Sequence, residues 1–263
     1  MTLIDPTLLQ ARPALPAGRF DVDALDACDS TNSELMRRAD QGAPTGSVIV
    51  ADKQTAGRGR RGRTWLSQAE DSLTFSLLWR FTGSAGQLSG LSLAIGVAIA
   101  RGLEKLGAQG ICLKWPNDVL LRQANGYAKL AGILIELSSD RRGTQAIIGI
   151  GLNLQAPTGD LPQPAAGLSL AMHHLPDRHD ILAALLAALA ETLDAFAVDG
   201  FSSLKTEWQN HHAWQDQAVE LLEDGRQQLA GICRGVDSDG SLLIETTAGI
   251  QRVLSGDLSL RRT

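Results

Sequence analysis

The sequence predicts an α/β domain over residues 20–214, followed by a small β-barrel of SH3-like size over residues 215–263. Three observations carry that prediction. Short apolar strand patterns alternate with longer stretches of helical apolar spacing as far as residue 211. From residue 217 the texture changes to short strands broken by turn signals, with Gly225, Gly240, Gly249 and Gly256 at hairpin-like spacing. The length, 263 residues, suits one large domain or a larger and a smaller one.

The elements follow in order. Residues 1–19, with Pro6, Pro13 and Pro16, read as an irregular arm. FDVDALDACDS alternates as a first strand, and TNSELMRRAD is a helix whose Thr31 and Glu34 predict a capping box. GSVIVAD at 46–52 is a short apolar strand, and SLTFSLLWRF at 72–81 is another. Residues 87–107 place Leu88, Leu91, Ala94, Ile95, Ala98, Ile99, Leu103 and Leu106 at helical spacing. Strands are predicted at 111–115, 131–138 and 145–154, then a loop over 155–168. A long helix over about 180–197 and a shorter one over about 201–211 close the domain.

Composition narrows the classes of function. Apolar residues make up 44%, charged residues 20%, and the net charge is −5, an ordinary globular balance that argues against a general nucleic-acid binder. The N-terminus lacks the basic start and apolar core of a secretory leader. The longest apolar run, ILAALLAALA at 181–190, ends at Glu191 and is too short to span a bilayer. Cys28, Cys112 and Cys233 are odd in number and far apart, so they predict free thiols in a reducing, cytoplasmic setting. Adjacent His211 and His212 do not share a helix face, so no metal site is expected there or elsewhere.

Against that acidic background stands KQTAGRGRRGRTW at 53–65. Glycines let backbone amides approach a ligand, and arginines offer planar forks for phosphate or carboxylate oxygens. The alternatives are a solvated surface loop or an RGG-like RNA contact. The loop is neither a P-loop nor a dinucleotide fingerprint, since no GxxxxGK[ST] is present and no clear βαβ unit surrounds the GxGxxG spacing. In KWPNDVLL at 114–121, Pro116 drives Trp115 out of the helical region and leaves Asn117 and Asp118 at a strand exit, or simply in a turn over a core tryptophan. In KLAGILIEL at 129–137, Lys129 stands where a strand begins, and Gly132 leaves room for a ligand to lie flat. DSTN at 29–32 offers hydroxyls to a ligand or to a helix cap.

Taken together and in this order, these segments resemble the biotin protein ligases. The match rests on Ser30-Thr31-Asn32, Gln54 with GRGRRG at 57–62 and Trp65, KWPND at 114–118, KLAGIL at 129–134, GIGLN at 149–153, and the C-terminal GICRGVDSDGSLLIE and SGDLSLR; it covers about residues 22–263. The resemblance implies an α+β fold like that of class II aminoacyl-tRNA synthetases, a mixed and largely antiparallel sheet flanked by helices, with an SH3-like C-terminal domain. Some members add an N-terminal winged helix and repress transcription. About 20 residues precede the first strand here, so DNA binding is not expected.

The implied activity joins biotin to ATP as biotinyl-5′-AMP with loss of pyrophosphate, then passes biotin to a lysine of a biotin carboxyl carrier protein, with Mg²⁺ accompanying ATP. Carried over residue by residue, Ser30, Thr31, Asn32, Gln54, Gly57, Arg58, Gly59, Arg60, Trp65, Lys129, Gly132 and Ile133 would meet biotin. Arg58, Arg60, Arg61, Lys114, Asn117, Lys129 and Asn153 would meet ATP and the adenylate. Lys129, Arg60, Asp118 and Lys114 would serve the chemistry, Asp118 by orienting the acceptor amine or helping place Mg²⁺. The 155–178 loop, which in some relatives covers adenine, has no aromatic residue here. A monomer or weak homodimer with no membrane partner is expected. A lipoate or octanoate transferase on the same fold, a biotin-sensing repressor and an RNA-binding module are the rival readings.

Overall fold

The computed structural model describes residues 2–140, 143–159, 163–223, 226–254 and 258–262. Gly225 and Gly256, two of the expected turn glycines, lie outside the described residues. A seven-stranded sheet forms the larger domain, built from β1 Asp21–Cys28, β2 Ser47–Gln54, β3 Ser72–Phe81, β4 Ile111–Lys114, β5 Asp118–Gln123, β6 Gly126–Asp140 and β7 Gly143–Asn153. Their order is β1-β2-β3-β7-β6-β5-β4. Only β1 and β2 are parallel, joined by helix α2 (Thr31–Asp40); every other pair is antiparallel. Strand-helix alternation suggested α/β, but short connections make hairpins of β4-β5, β5-β6 and β6-β7, and a hairpin must be antiparallel. The sheet is therefore mixed and largely antiparallel.

Helices α3 (Leu91–Lys105) and α4 (Arg178–Asp199) cover one face. The run that reads as a short apolar segment belongs to a 22-residue helix that is long and apolar enough to cross a membrane. Ile181, Leu182, Leu185, Leu186, Leu189 and Leu193 are wholly buried in the core, which explains its apolarity. On the other face α2 covers only part of the sheet, packing Leu35 and Ala39 on Ile49, Leu78 and Ile147. The remainder of that face is open and floors the cavity described below.

Several expectations change. The arm holds a short helix, α1 (Pro6–Gln10), whose first amides are capped by the Asp5 carboxylate, at 2.8 Å from the Thr7 amide. Helix α2 starts with Ser30 as N-cap and has no side-chain cap. The capping box fails because Thr31 turns to Gln54, while Glu34 is held by Arg37 and Arg38 at 2.7 and 2.8 Å. Strand β5 was not foreseen, and β6 starts at Gly126, so Lys129 lies inside a strand. The last predicted helix is a 3-10 turn, Gly200–Leu204, followed by α5 (Lys205–His211).

The C-terminal domain is a five-stranded antiparallel sheet of the SH3-like kind, ordered β11-β10-β9-β8-β12. Its strands are β8 Ala218–Glu223, β9 Arg226–Val236, β10 Leu242–Thr246, β11 Gly249–Val253 and β12 Ser259–Arg262. It docks on the sheet domain at Gly240, whose carbonyl accepts the Trp115 indole N–H at 3.1 Å. Gly240 has φ +81°, and a Cβ there would stand 2.7 Å from the Gly90 Cα, so this contact requires glycine.

Leu9 of α1 is wholly buried, with α1 packed on α4 and β1. Leu9→Ala should cost about 2–5 kcal/mol in urea denaturation. An unchanged midpoint would mean that the arm does not contribute to the cooperative core.

Candidate functional site

A cavity of about 640 Å³ opens on the face of the sheet that α2 leaves uncovered. Its floor follows from strand register. One row across the sheet reads Ala51, Thr74, Gly151, Gly132, Asp118, Lys114, each residue paired to the next. The neighbouring row reads Ile49, Ser76, Gly149, Leu134. Residues along a row share a face, so two glycines lie in the middle of the first row with polar and charged groups on either side.

At one end sits a neutral polar cluster. Gln54, the last residue of β2, accepts from the Thr31 amide at 2.8 Å and the Thr31 hydroxyl at 3.2 Å. The Ser76 hydroxyl, wholly buried, lies 2.8 Å from Thr31 Oγ1 and 2.6 Å from Asn32 Oδ1. Asn32 donates to Glu136 at 2.9 Å, and its amide lies over Gly149, where a Cβ would come within 2.2 Å of Oδ1. Ser30, buried beside them, also lines the cavity.

At the other end Asp118 holds two ammonium groups, Lys129 Nζ at 2.5 Å and Lys114 Nζ at 3.5 Å. Burial pushes the Asp118 carboxyl up, but the two lysines outweigh it and leave it below its ordinary 3.8. Burial pushes the Lys114 amine down, and Asp118 only partly restores it. Lys114 also faces the Trp214 ring at 5.1 Å, from the segment joining the two domains. Lys129 reaches this face through a β-bulge: Val119 pairs with Ala131 and Leu120 with Lys129, so Leu130 is extra and the alternation shifts.

The Arg/Gly segment folds as a small hairpin over the cavity. Gly59 N–H donates to Arg63 O at 2.7 Å and Trp65 N–H to Gly57 O at 2.9 Å. Arg61 turns the hairpin at φ +62°, a left-handed conformation unusual for a side-chain-bearing residue. Arg60 reaches Asn117 Oδ1 at 3.4 Å, and Arg58 is tied at the rim to Glu136 at 2.6 Å. The Trp65 indole lies on the glycine floor: a Cβ on Gly151 would fall 2.3 Å from it and one on Gly132 3.2 Å. Lys129 Nζ is 5.7 Å from its ring centre.

The fold therefore brings together Ser30, Thr31, Asn32, Gln54, Arg58, Gly59, Arg60, Arg61, Trp65, Lys114, Asn117, Asp118, Lys129, Gly132, Ile133 and Asn153 around one cavity. Gly57 does not line it; a Cβ there would meet the Trp65 carbonyl at 2.4 Å, so this glycine lets the hairpin close. Ile133 turns its side chain toward Gly96 of α3 and contributes main chain, clasped by Asn117 through bonds of 2.8 and 3.0 Å. Asn153 braces the Lys129 and Ala166 carbonyls at 3.3 and 3.2 Å. Sequence reasoning missed Thr74, Arg63 and Arg261 among the lining residues, and Ser76 and Glu136 behind them. The period-two hydroxyls of SLTFS and the doubled glycine of GIG were the available signals. His211 bonds Glu104 at 3.0 Å, while His212, pushed down to about 4 by burial, stacks on Trp208 at 4.6 Å. No group of three metal-ligating side chains occurs among the described residues.

Residues 25–153 match the Biotin/lipoate A/B protein ligase family, and residues 216–261 match the Biotin protein ligase C terminal domain. The chain is 35% identical over 266 residues to the bifunctional ligase/repressor BirA of Escherichia coli K12, covering 97% of this chain and 78% of that protein. The chain belongs to the biotin protein ligase family. The biotin–[acetyl-CoA-carboxylase] ligase of Paracoccus denitrificans is 33% identical, with 88% of this chain and 96% of that one covered. The Aquifex aeolicus biotin protein ligase, solved in complex with biotin and ATP, superposes with a TM-score of 0.77 at 32% identity, covering 92% and 99% of the two chains. The polar cluster and the ammonium pair lie at opposite ends of one row of strands around the same cavity.

Because Asp118 titrates below its ordinary 3.8, its ionised form stabilises the fold above about pH 4, and that contribution is lost as pH falls through the lowered value. Asp118→Asn should therefore cost most near pH 7. Its urea-denaturation gap to wild type should narrow below pH 4, and a gap independent of pH would count against the ion triad.

Proposed function

We propose that this chain is an ATP-dependent biotin protein ligase that forms biotinyl-5′-AMP and transfers the biotinyl group to a lysine of a carrier protein. The observation that carries the site assignment is the make-up of the cavity, uncharged hydrogen-bonding groups at one end, an ammonium pair at the other and an arginine hairpin above. Seven cationic side chains line it among the described residues, Arg58, Arg60, Arg61, Arg63, Lys114, Lys129 and Arg261, against the single carboxylate of Asp118. In a chain of net charge −5 that concentration suits a carboxylate meeting a polyphosphate.

The neutral cluster of Thr31, Asn32, Gln54 and Ser76 would read the ureido ring. Lipoate carries a dithiolane with no such groups and would gain no hydrogen bond from this cluster, which disfavours it. One oxygen of the biotin carboxylate attacks the α-phosphorus, and the bond to pyrophosphate breaks. The acceptor amine then attacks the acyl carbonyl and loses a proton, and the carbonyl–AMP bond breaks. Lys129 and Arg60 would hold the carboxylate and α-phosphate oxygens in line, and Lys114 would add charge toward the leaving group. The arginine hairpin would cover the mixed anhydride and exclude water.

We propose a different part for Asp118 from the one the resemblance implies. Both its oxygens are engaged by ammonium groups and its carboxyl is held low, which makes it a weak base. We assign it to positioning Lys114 and Lys129. As the one carboxylate on the described cavity wall it also does not form a metal-binding set, so Mg²⁺ would enter on the phosphates of ATP. The proposed acceptor is the biotin carboxyl carrier protein of acetyl-CoA carboxylase, and the proposed setting is the cytosol, where the three free thiols stay reduced.

Biotin-dependent exchange of labelled pyrophosphate into ATP tests this reading, with lipoate in parallel. Exchange with biotin alone is expected, and exchange with lipoate but not biotin would overturn the substrate. Lys129→Ala should keep the fold by circular dichroism and lower exchange by on the order of 100–1000-fold; near wild-type turnover would remove Lys129 from the chemistry. Arg60→Ala should release adenylate into solution, measured as free biotinyl-5′-AMP per pyrophosphate formed.

A further inference from the structure

Strand β3 places three hydroxyls on the cavity side of the sheet, Ser72, Thr74 and Ser76, by simple alternation. Two are used within the protein. Ser72 donates to the Gln68 carbonyl at 2.8 Å, and Ser76 meets Thr31 and Asn32. Thr74 is 4% exposed, and its hydroxyl oxygen is buried without any hydrogen-bond partner. A buried hydroxyl left unpaired costs about 1–3 kcal/mol, so such a group calls for a reason.

Its position supplies one. Thr74 is the cross-strand neighbour of Gly151, in the row that continues through Gly132 to Asp118 and Lys114. One row over, Ser76 sits opposite Gly149 in the neutral cluster. Thr74 thus lies between the cluster and the ammonium pair. A second, independent orphan lies at the same place. The Trp65 indole nitrogen, 2.6 Å from where a Gly151 Cβ would be, is also buried and unpartnered. Indole N–H is a donor only, and a hydroxyl both donates and accepts.

We propose that Thr74 is a further ligand-contacting residue that sets specificity, its hydroxyl bonding the ring system of bound biotin above Gly151. This rests on the biotin ligase reading and extends it to a residue on β3 outside the motif segments. The hydroxyl has no partner within the protein, so removing it breaks no internal hydrogen bond and its effect falls on affinity.

Thr74→Val keeps the branched shape and removes the hydroxyl, and Thr74→Ser keeps the hydroxyl. Biotin affinity is measured by titration calorimetry on the full chain, with pyrophosphate exchange as the kinetic readout. Thr74→Val should weaken biotin binding about tenfold and raise its KM alike, with kcat within about twofold. Its thermal midpoint should equal or exceed that of wild type, and Thr74→Ser should restore affinity to within about threefold. Wild-type affinity in Thr74→Val overturns the proposal, and so does a joint loss of affinity and thermal stability in Thr74→Val, which would make the hydroxyl structural. If wild type itself neither binds biotin nor exchanges pyrophosphate, the ligase reading fails instead.

Discussion

One carboxylate organises the cationic end of the cavity. Asp118 lies at the floor of the cavity with its side chain 12% exposed, and both its oxygens face ammonium groups. Without it, Lys114, itself only 7% exposed, would be an uncompensated charge in a medium that penalises charge heavily. With it, two cations stand side by side on the cavity wall, at the place proposed for the meeting of carboxylate and phosphate. The neighbouring elements serve that arrangement. The β4-β5 hairpin presents Lys114 and Asp118 opposite each other, the bulge in β6 swings Lys129 across, and Trp214 from the interdomain segment covers Lys114.

The second constraint is space. Gly149, Gly151 and Gly132 leave a trough that any Cβ would fill, and in the free protein Asn32 and Trp65 lie in it. Asn32 is fixed there by Ser76 and Glu136, so its place is structural. Trp65 has a buried N–H with no partner, and it is carried by a hairpin whose turn runs through a left-handed arginine. In the proposed function the fixed side would read the ligand and the hairpin side would cover it. This division follows from which groups have satisfied hydrogen bonds and which do not.

The C-terminal domain belongs to the same site. Leu258, Ser259, Leu260 and Arg261 line the cavity, and Arg261 lies close enough to Lys114 to oppose its charge. The docking bond from the Trp115 indole to Gly240 starts one residue from Lys114. A polyphosphate would relieve the repulsion between Lys114 and Arg261, so its binding favours the two domains staying together.

The sequence alone carries the two-part architecture, most of the strand and helix periods, and the segments proposed to carry the chemistry. Ser30-Thr31-Asn32, GRGRRG, KWPND and KLAGIL are local patterns, and a local pattern is legible without a fold. It was not able to place Lys129, because a bulge is one extra residue defined only against its partner strand. It misjudged Thr31 and Glu34, whose spacing fits a capping box, because Gln54 and two arginines compete for them across the fold. It passed over Thr74 and Ser76, which look like ordinary strand positions until register sets them beside Gly151 and Gly149. Periodicity records which way a side chain points along its own strand. Only the pairing of strands decides what it points at.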